Sequence, residues 1–97
     1  MIDEIDEKEF QRSNTALVRS TAFEVLLASV EREEVDVLSG PAALAWELLA
    51  EPMTASALAA GLAEYYSISV PAVDADVRRL LEDLQSRGWI REDAGRN

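Results

Sequence analysis

The stretch Val35–Trp46, VDVLSGPAALAW, constrains the fold more than any other part of the chain. Val35 to Leu38 is a short apolar run and reads as a strand. Ser39 and Gly40 stop it. Pro41 then falls in the first turn of a helix, where its missing N–H has no intrahelical partner to lose. Ala42, Ala45, Trp46 and Leu49 recur at i, i+3, i+4 and i+7, which places them on one helix face. A strand that passes directly into a helix anchored by tryptophan leaves its sheet at that point. The strand is therefore expected at an edge, with the helices behind it holding it in position.

The flanking sequence extends this reading in both directions. Ala16–Ser20 (ALVRS) and Phe23–Ser29 (FEVLLAS) are rich in β-branched and aromatic residues and read as two earlier strands. The charged Ser29–Glu34 segment reads as a hairpin loop. Strands joined by links this short form an antiparallel meander. Three helices are expected to follow. The first covers about Pro41–Ala50 and stops before Pro52. The second covers about Ala55–Tyr65, with Thr54 as its N-cap and Leu58, Leu62 and Tyr65 turned inward. The third covers about Val70–Arg87, with Ser69 as its cap, Pro71 in its first turn and Gly88 closing it. Val73, Val77, Leu80 and Leu84 give this helix an apolar stripe. Trp89 and Ile90 should fold back on the core. The fold class is α+β, a three-stranded antiparallel sheet followed by three helices, resembling a winged helix-turn-helix with the sheet placed first.

The 97 residues suffice for a single domain. Residues 1–13 carry Asp3, Glu4, Asp6, Glu7 and Glu9 against Lys8 and Arg12, and are expected to form a flexible acidic arm. Residues 14–92 are expected to be the folded domain, and residues 93–97 a polar tail. The acidic start lacks the basic–apolar order of a signal peptide, and no apolar run approaches the ~18 residues of a membrane span. A soluble cytoplasmic protein is the expectation.

The chain has neither Cys nor His, so no disulfide frame, thiolate site or histidine base is available. Its single Lys, Lys8, lies in the arm. Asp74 and Asp76, like Glu82 and Asp83, point to different helix faces and cannot act as an acid–base pair. The Glu31, Glu33, Glu34 and Asp36 cluster lacks the glycine and ligand spacing of a calcium loop. Glycine-rich phosphate loops are absent. Neither catalysis, a metal nor a cofactor is expected. A carrier domain would need a serine at a helix start within an Asp-Ser-Leu motif, whereas Ser39 sits in Leu-Ser-Gly.

Taken in order, FEVLLAS, VDVLSGPAALAWELL and MTASALAAGLAEYYSISVPAVDADVRRLLEDLQSRGWI resemble the PqqD-like family over about Ala16 to Ile90. These are RiPP recognition elements, small domains that capture the leader segment of a ribosomally made precursor peptide and present it to modifying enzymes. The resemblance departs at Ser39-Gly40, where many relatives carry Asn-Pro, and at Asp36, where many carry an aromatic. It implies a leader peptide added as a fourth, antiparallel strand beside the third, in a groove walled by the third helix. It also implies a modifying enzyme as partner, such as a leader protease of lasso-peptide biosynthesis or a radical enzyme. An open strand edge offers unpaired N–H and C=O groups that an extended peptide satisfies. Val35, Asp36, Val37 and Leu38 would supply that edge. On the third helix, Leu81 widens the apolar stripe on one flank, with Asp74 and Arg78 on the same side. That flank is the expected groove wall, with Val77 at its floor; the alternative is that Leu81 is simply more core.

Two other readings fit the same elements. One is a winged-helix DNA-binding regulator, for which Arg78 and Arg79 would be the basic pair on the recognition helix. The other is a structural module that forms a homodimer through the open edge. Nine basic against 19 acidic residues give a net charge of −10, which opposes contact with phosphates. No mobility shift of duplex DNA is expected at micromolar protein and physiological salt. A shift that weakens steeply with added salt would contradict this.

Overall fold

Short turns, rather than long connections, set the architecture of the computed structural model, which describes residues 8–14 and 16–93. The elements run β1 (Glu9–Arg12), β2 (Leu17–Ser20), β3 (Glu24–Ser29), β4 (Glu34–Ser39), α1 (Pro41–Leu48), β5 (Met53–Thr54), α2 (Ala55–Tyr66), α3 (Val70–Ser86) and β6 (Ile90–Asp93). The expected meander is present as an antiparallel sheet in the order β2-β3-β4, so the outer side of β4 is unpaired. The fold is α+β. Residues 1–7 and 94–97, which the sequence assigns to the arm and the tail, lie outside the described residues.

Alternation along β3 and β4 decides which residues face the helices. Val25, Leu27 and Ser29 are buried, while Leu26 points to the outer face. Opposed residues of an antiparallel pair share a face. Val25 lies across from Leu38 and Leu27 across from Asp36, so Leu38 and Asp36 turn inward and Val35 and Val37 outward. The β3–β4 turn is fixed by the Arg32 backbone N–H, which donates to Ser29 Oγ at 3.2 Å.

Each helix terminus has a local cause. Gly40 takes φ 59°, ψ −136° before Pro41, a conformation costly to any side chain, and so turns β4 abruptly into α1. Thr54 Oγ1 accepts the Ala57 N–H at 3.0 Å and caps α2 as expected. Ser69 occupies the N-cap position of α3, but its side chain makes no capping bond. Gly88, at φ 84°, ends α3, and the Trp89 N–H returns to the Leu84 carbonyl at 3.0 Å.

A second sheet, in the order β5-β1-β6, corrects the expected boundary of the flexible arm. Glu9–Arg12 form its central strand: Phe10 pairs with Met53 and Glu92, and Arg12 with Ile90. Those partners lie some 40 and 80 positions along the chain, so local charge density dominated the sequence pattern there. Tyr65, expected on the inner face of α2, is 68% exposed instead. The inner stripe of α2 is Leu58, Ala59, Leu62 and Ala63, and Tyr65 falls beyond it.

Trp46 and Trp89 are fully buried and anchor the core with Leu27, Leu49, Leu58 and Leu84. The Arg12 guanidinium lies 4.7 Å from the centre of the Trp46 ring, and its Nε and Nη2 donate to the Trp46 carbonyl at 3.0 and 2.6 Å. Arg12 thus satisfies a carbonyl at the α1 C-terminus and ties β1 to that helix. Trp46→Ala should cost about 3–5 kcal/mol, a large share of the ~5–10 kcal/mol available to a domain this small. Chemical denaturation of the variant measures the loss; a change below ~1 kcal/mol would be inconsistent with a buried anchor.

Candidate peptide-binding groove

Arg87 identifies the face of α3 that looks toward β4. Its Nη1 donates to Asp36 Oδ1 at 2.8 Å and its Nε to Asp83 Oδ1 at 3.1 Å. Asp76, Leu80, Asp83 and Arg87 recur at i, i+4, i+7 and i+11, so one stripe runs along the helix and ends on the strand. At its other end, Val73, Val77 and Leu80 line a cleft of about 470 Å³ with Pro41, Leu62 and Tyr66. A second cleft, of about 480 Å³, lies between Glu34, Val35, Asp36 and Arg87. The unpaired edge of β4 therefore faces a groove that is apolar toward Pro41 and polar toward Glu34.

The polar end is a closed network. Trp89 Nε1 donates to Asp36 Oδ2 at 2.6 Å. Arg32, on the β3–β4 turn, stacks 4.7 Å from the centre of the Trp89 ring. Its Nη1 donates to Glu34 Oε1 at 2.7 Å and also to the Arg87 carbonyl. Burial of Asp36 opposes its ionisation, but the hydrogen bonds from Trp89 and Arg87 outweigh this and hold its carboxyl below the ordinary value of 3.8.

The expected strand residues occupy this edge, with different side-chain roles. Val35 and Val37 are exposed on the outer face, Leu38 packs in the core, and the Asp36 side chain is engaged by Trp89 and Arg87. Val77 is buried at the groove floor. The residues expected for the helix wall lie on another flank of α3. Asp74 and Arg78 pair with each other at 3.0 Å, roughly half a turn round α3 from the Leu80 stripe. Arg78 and Leu81 line a cleft of about 440 Å³ with Phe10 and Glu92, facing the second sheet, and Leu81 is only 2% exposed. Its alternative reading as core is the one that holds. An apolar stripe has two flanks, and the sequence does not say which meets the sheet. Val73 and Leu80 border the groove instead; both lay in the predicted stripe, and their half-burial is the signal that separates them from core. No local sequence signal points to Trp89 and Arg87 for the groove, because their link to Asp36 spans more than 50 residues.

The carboxylates converge on no metal position among the described residues: no group of three or more His, Cys, Asp or Glu residues is placed to hold an ion. Nor is any described helix long and apolar enough to cross a membrane.

The Asp36 network carries a pH signature. Its carboxyl pKa is lower folded than unfolded, so its contribution to stability is complete above about pH 4 and is lost as pH falls through the folded value. Asp36→Asn should therefore lower the melting temperature at pH 7, and the gap from the parent should shrink below about pH 4. Asp36→Ala, which leaves the Trp89 N–H without its acceptor, should cost about 1–3 kcal/mol. Melts from pH 7 to 2.5 measure both; a gap independent of pH would show that the charge of Asp36 contributes nothing.

Comparison with known proteins agrees with this architecture. The sequence profile of the family described as coenzyme PQQ synthesis protein D (PqqD) matches residues 24–90. A solved structure, TbiB1 in complex with the TbiA(beta) leader peptide, is similar in fold, with a TM-score of 0.75 at 20% identity over 90% of this chain and 99% of that one. No curated protein matches. The matched segment runs from the start of β3 through α3 to Ile90 and takes in both walls of the groove. This chain belongs to the PqqD family.

Proposed function

We propose that this chain is a non-catalytic peptide chaperone. It binds the leader segment of a ribosomally synthesised precursor peptide by strand addition and presents it to a modifying enzyme, such as a leader protease or a radical enzyme. The observation that carries this reading is the unpaired outer edge of β4, tied to the end of α3 by Asp36 and Arg87 and running toward Pro41 at the apolar cleft of α3. A peptide lying antiparallel to β4 satisfies the backbone groups of the edge and buries its side chains against Val73 and Leu80. The fold likeness to TbiB1, a protein solved in complex with the TbiA(beta) leader peptide, supports the same reading. Arg78 and Arg79, the pair a DNA-binding helix would use, are each bonded to an aspartate of α3 at 3.0 Å.

The test uses a fluorescent leader peptide encoded by the precursor gene beside this one. Leu80→Glu should weaken binding at least about tenfold, by placing a charge on the apolar wall. Arg78→Glu, on the opposite flank, should leave it unchanged. Hydrogen exchange should show new amide protection centred on Glu34–Ser39 when the leader binds. Protection elsewhere would move the site. Absence of leader binding, together with a dimer whose contacts protect β4, would favour the homodimer module.

A further inference from the structure

Tyr66 stands between two clefts. On one side it borders the groove beside Val73 and Leu80. On the other it lines a separate cleft of about 320 Å³ with Phe23, Glu24, Leu44, Glu47 and Tyr65. Pro41 borders the first cleft and Gly40 the second, and a β-carbon at Gly40 would meet nothing within 4 Å. The turn at the end of β4 is thus a low saddle joining the two.

The second cleft is unlike a core fragment. Phe23 is 82% and Tyr65 68% exposed, the highest values for aromatic residues among those described. The Tyr65 and Tyr66 rings meet edge to face, 5.1 Å between centres, a favoured aromatic pairing. Both charged side chains lining the cleft, Glu24 and Glu47, are acidic. Glu24 takes part in no ion pair among the described residues, while Glu47 is 4.0 Å from Arg12. Aromatic faces beside carboxylates form a receptor for a guanidinium or ammonium group. The chain already stacks arginines this way on Trp46 and Trp89.

A strand antiparallel to β4 runs from the Ser39 end toward Glu34. Residues upstream of it leave the groove at Ser39–Gly40, on the saddle. We infer that the aromatic cleft receives the part of the leader N-terminal to the paired strand and selects an arginine or lysine there. The inference rests on the groove being the leader site and names the second feature that the same ligand must carry.

The experiment crosses two forms of the leader with a cleft variant. One leader is full length; the other begins where protection of β4 begins. The variant Phe23→Ser/Tyr65→Ser changes only exposed side chains, and circular dichroism checks its fold. It should weaken the full-length leader about tenfold and leave the truncated leader unchanged. Truncation should weaken binding to the parent by the same factor, with no further loss in the variant. Glu24→Lys should likewise weaken only the full-length form. Equal losses on both leader forms, or no loss on either, would overturn the inference while leaving the groove intact. So would a leader with no Arg or Lys upstream. Loss of the modifying enzyme in co-purification, with leader affinity kept, would reassign the cleft to that enzyme and overturn the inference too. Failure of the parent to bind either leader would overturn the groove reading and this inference with it.

Discussion

The Asp36 carboxylate joins β4 to the end of α3, and the shape of the groove depends on that joint. An edge strand is otherwise held only by its one neighbour, here β3. Asp36 sits on the inner face of the sheet, where a charge is costly to bury, and is stabilised by donors from two positions just beyond α3. A neutral acceptor would serve the Trp89 N–H but would leave Arg87 without its counter-charge on the strand. Arg32 closes the loop by stacking on Trp89 and bonding Glu34 and the Arg87 carbonyl. The other buried tryptophan shows the contrast. Trp46 is also covered by an arginine, yet its Nε1 has no acceptor among the described residues.

Legibility in the sequence followed the range of the interactions. The turn at Ser39–Pro41, the Thr54 cap and the Gly88 stop are local chemistry, and each appeared where expected. The meander was readable because its strands are consecutive and its links short. The second sheet was not. Met53–Thr54 is two residues long and carries no pattern, and β1 looks like part of a solvated acidic arm until its distant partners are known. The same omission bears on the helix wall. Without β1 and β6, nothing covers the Arg78–Leu81 flank of α3, and that flank is free to form a groove. With those strands in place, the Arg78–Leu81 flank faces the second sheet, while Val73 and Leu80 line the cleft that reaches Pro41 just beyond β4.

An open edge is also a hazard, because any other strand can pair with it. This chain limits the hazard with charge and length. The edge is six residues long, Glu34 opens it, and the molecule carries a net charge of −10. Two copies approaching edge to edge bring like charges together, which disfavours self-pairing. A leader peptide of lower or opposite charge meets no such barrier. The acidic balance that opposes nucleic acid is thus compatible with peptide binding and helps keep the edge free for it.

Backbone pairing alone gives little selectivity, and its strength is bounded. Alternate residues of an edge strand direct their N–H and C=O groups outward, so a strand of this length offers about three such residues. Each hydrogen bond contributes roughly 0.5–1.5 kcal/mol net, while ordering each peptide residue costs about 1–2 kcal/mol. The two nearly cancel. Affinity and choice of partner must therefore come largely from buried side chains. The apolar cleft at Pro41, Val73 and Leu80 offers that burial directly. The Asp36–Arg87–Trp89 network matters for the same reason: its hydrogen bonds are formed without the peptide, so these side chains add little ordering cost on binding.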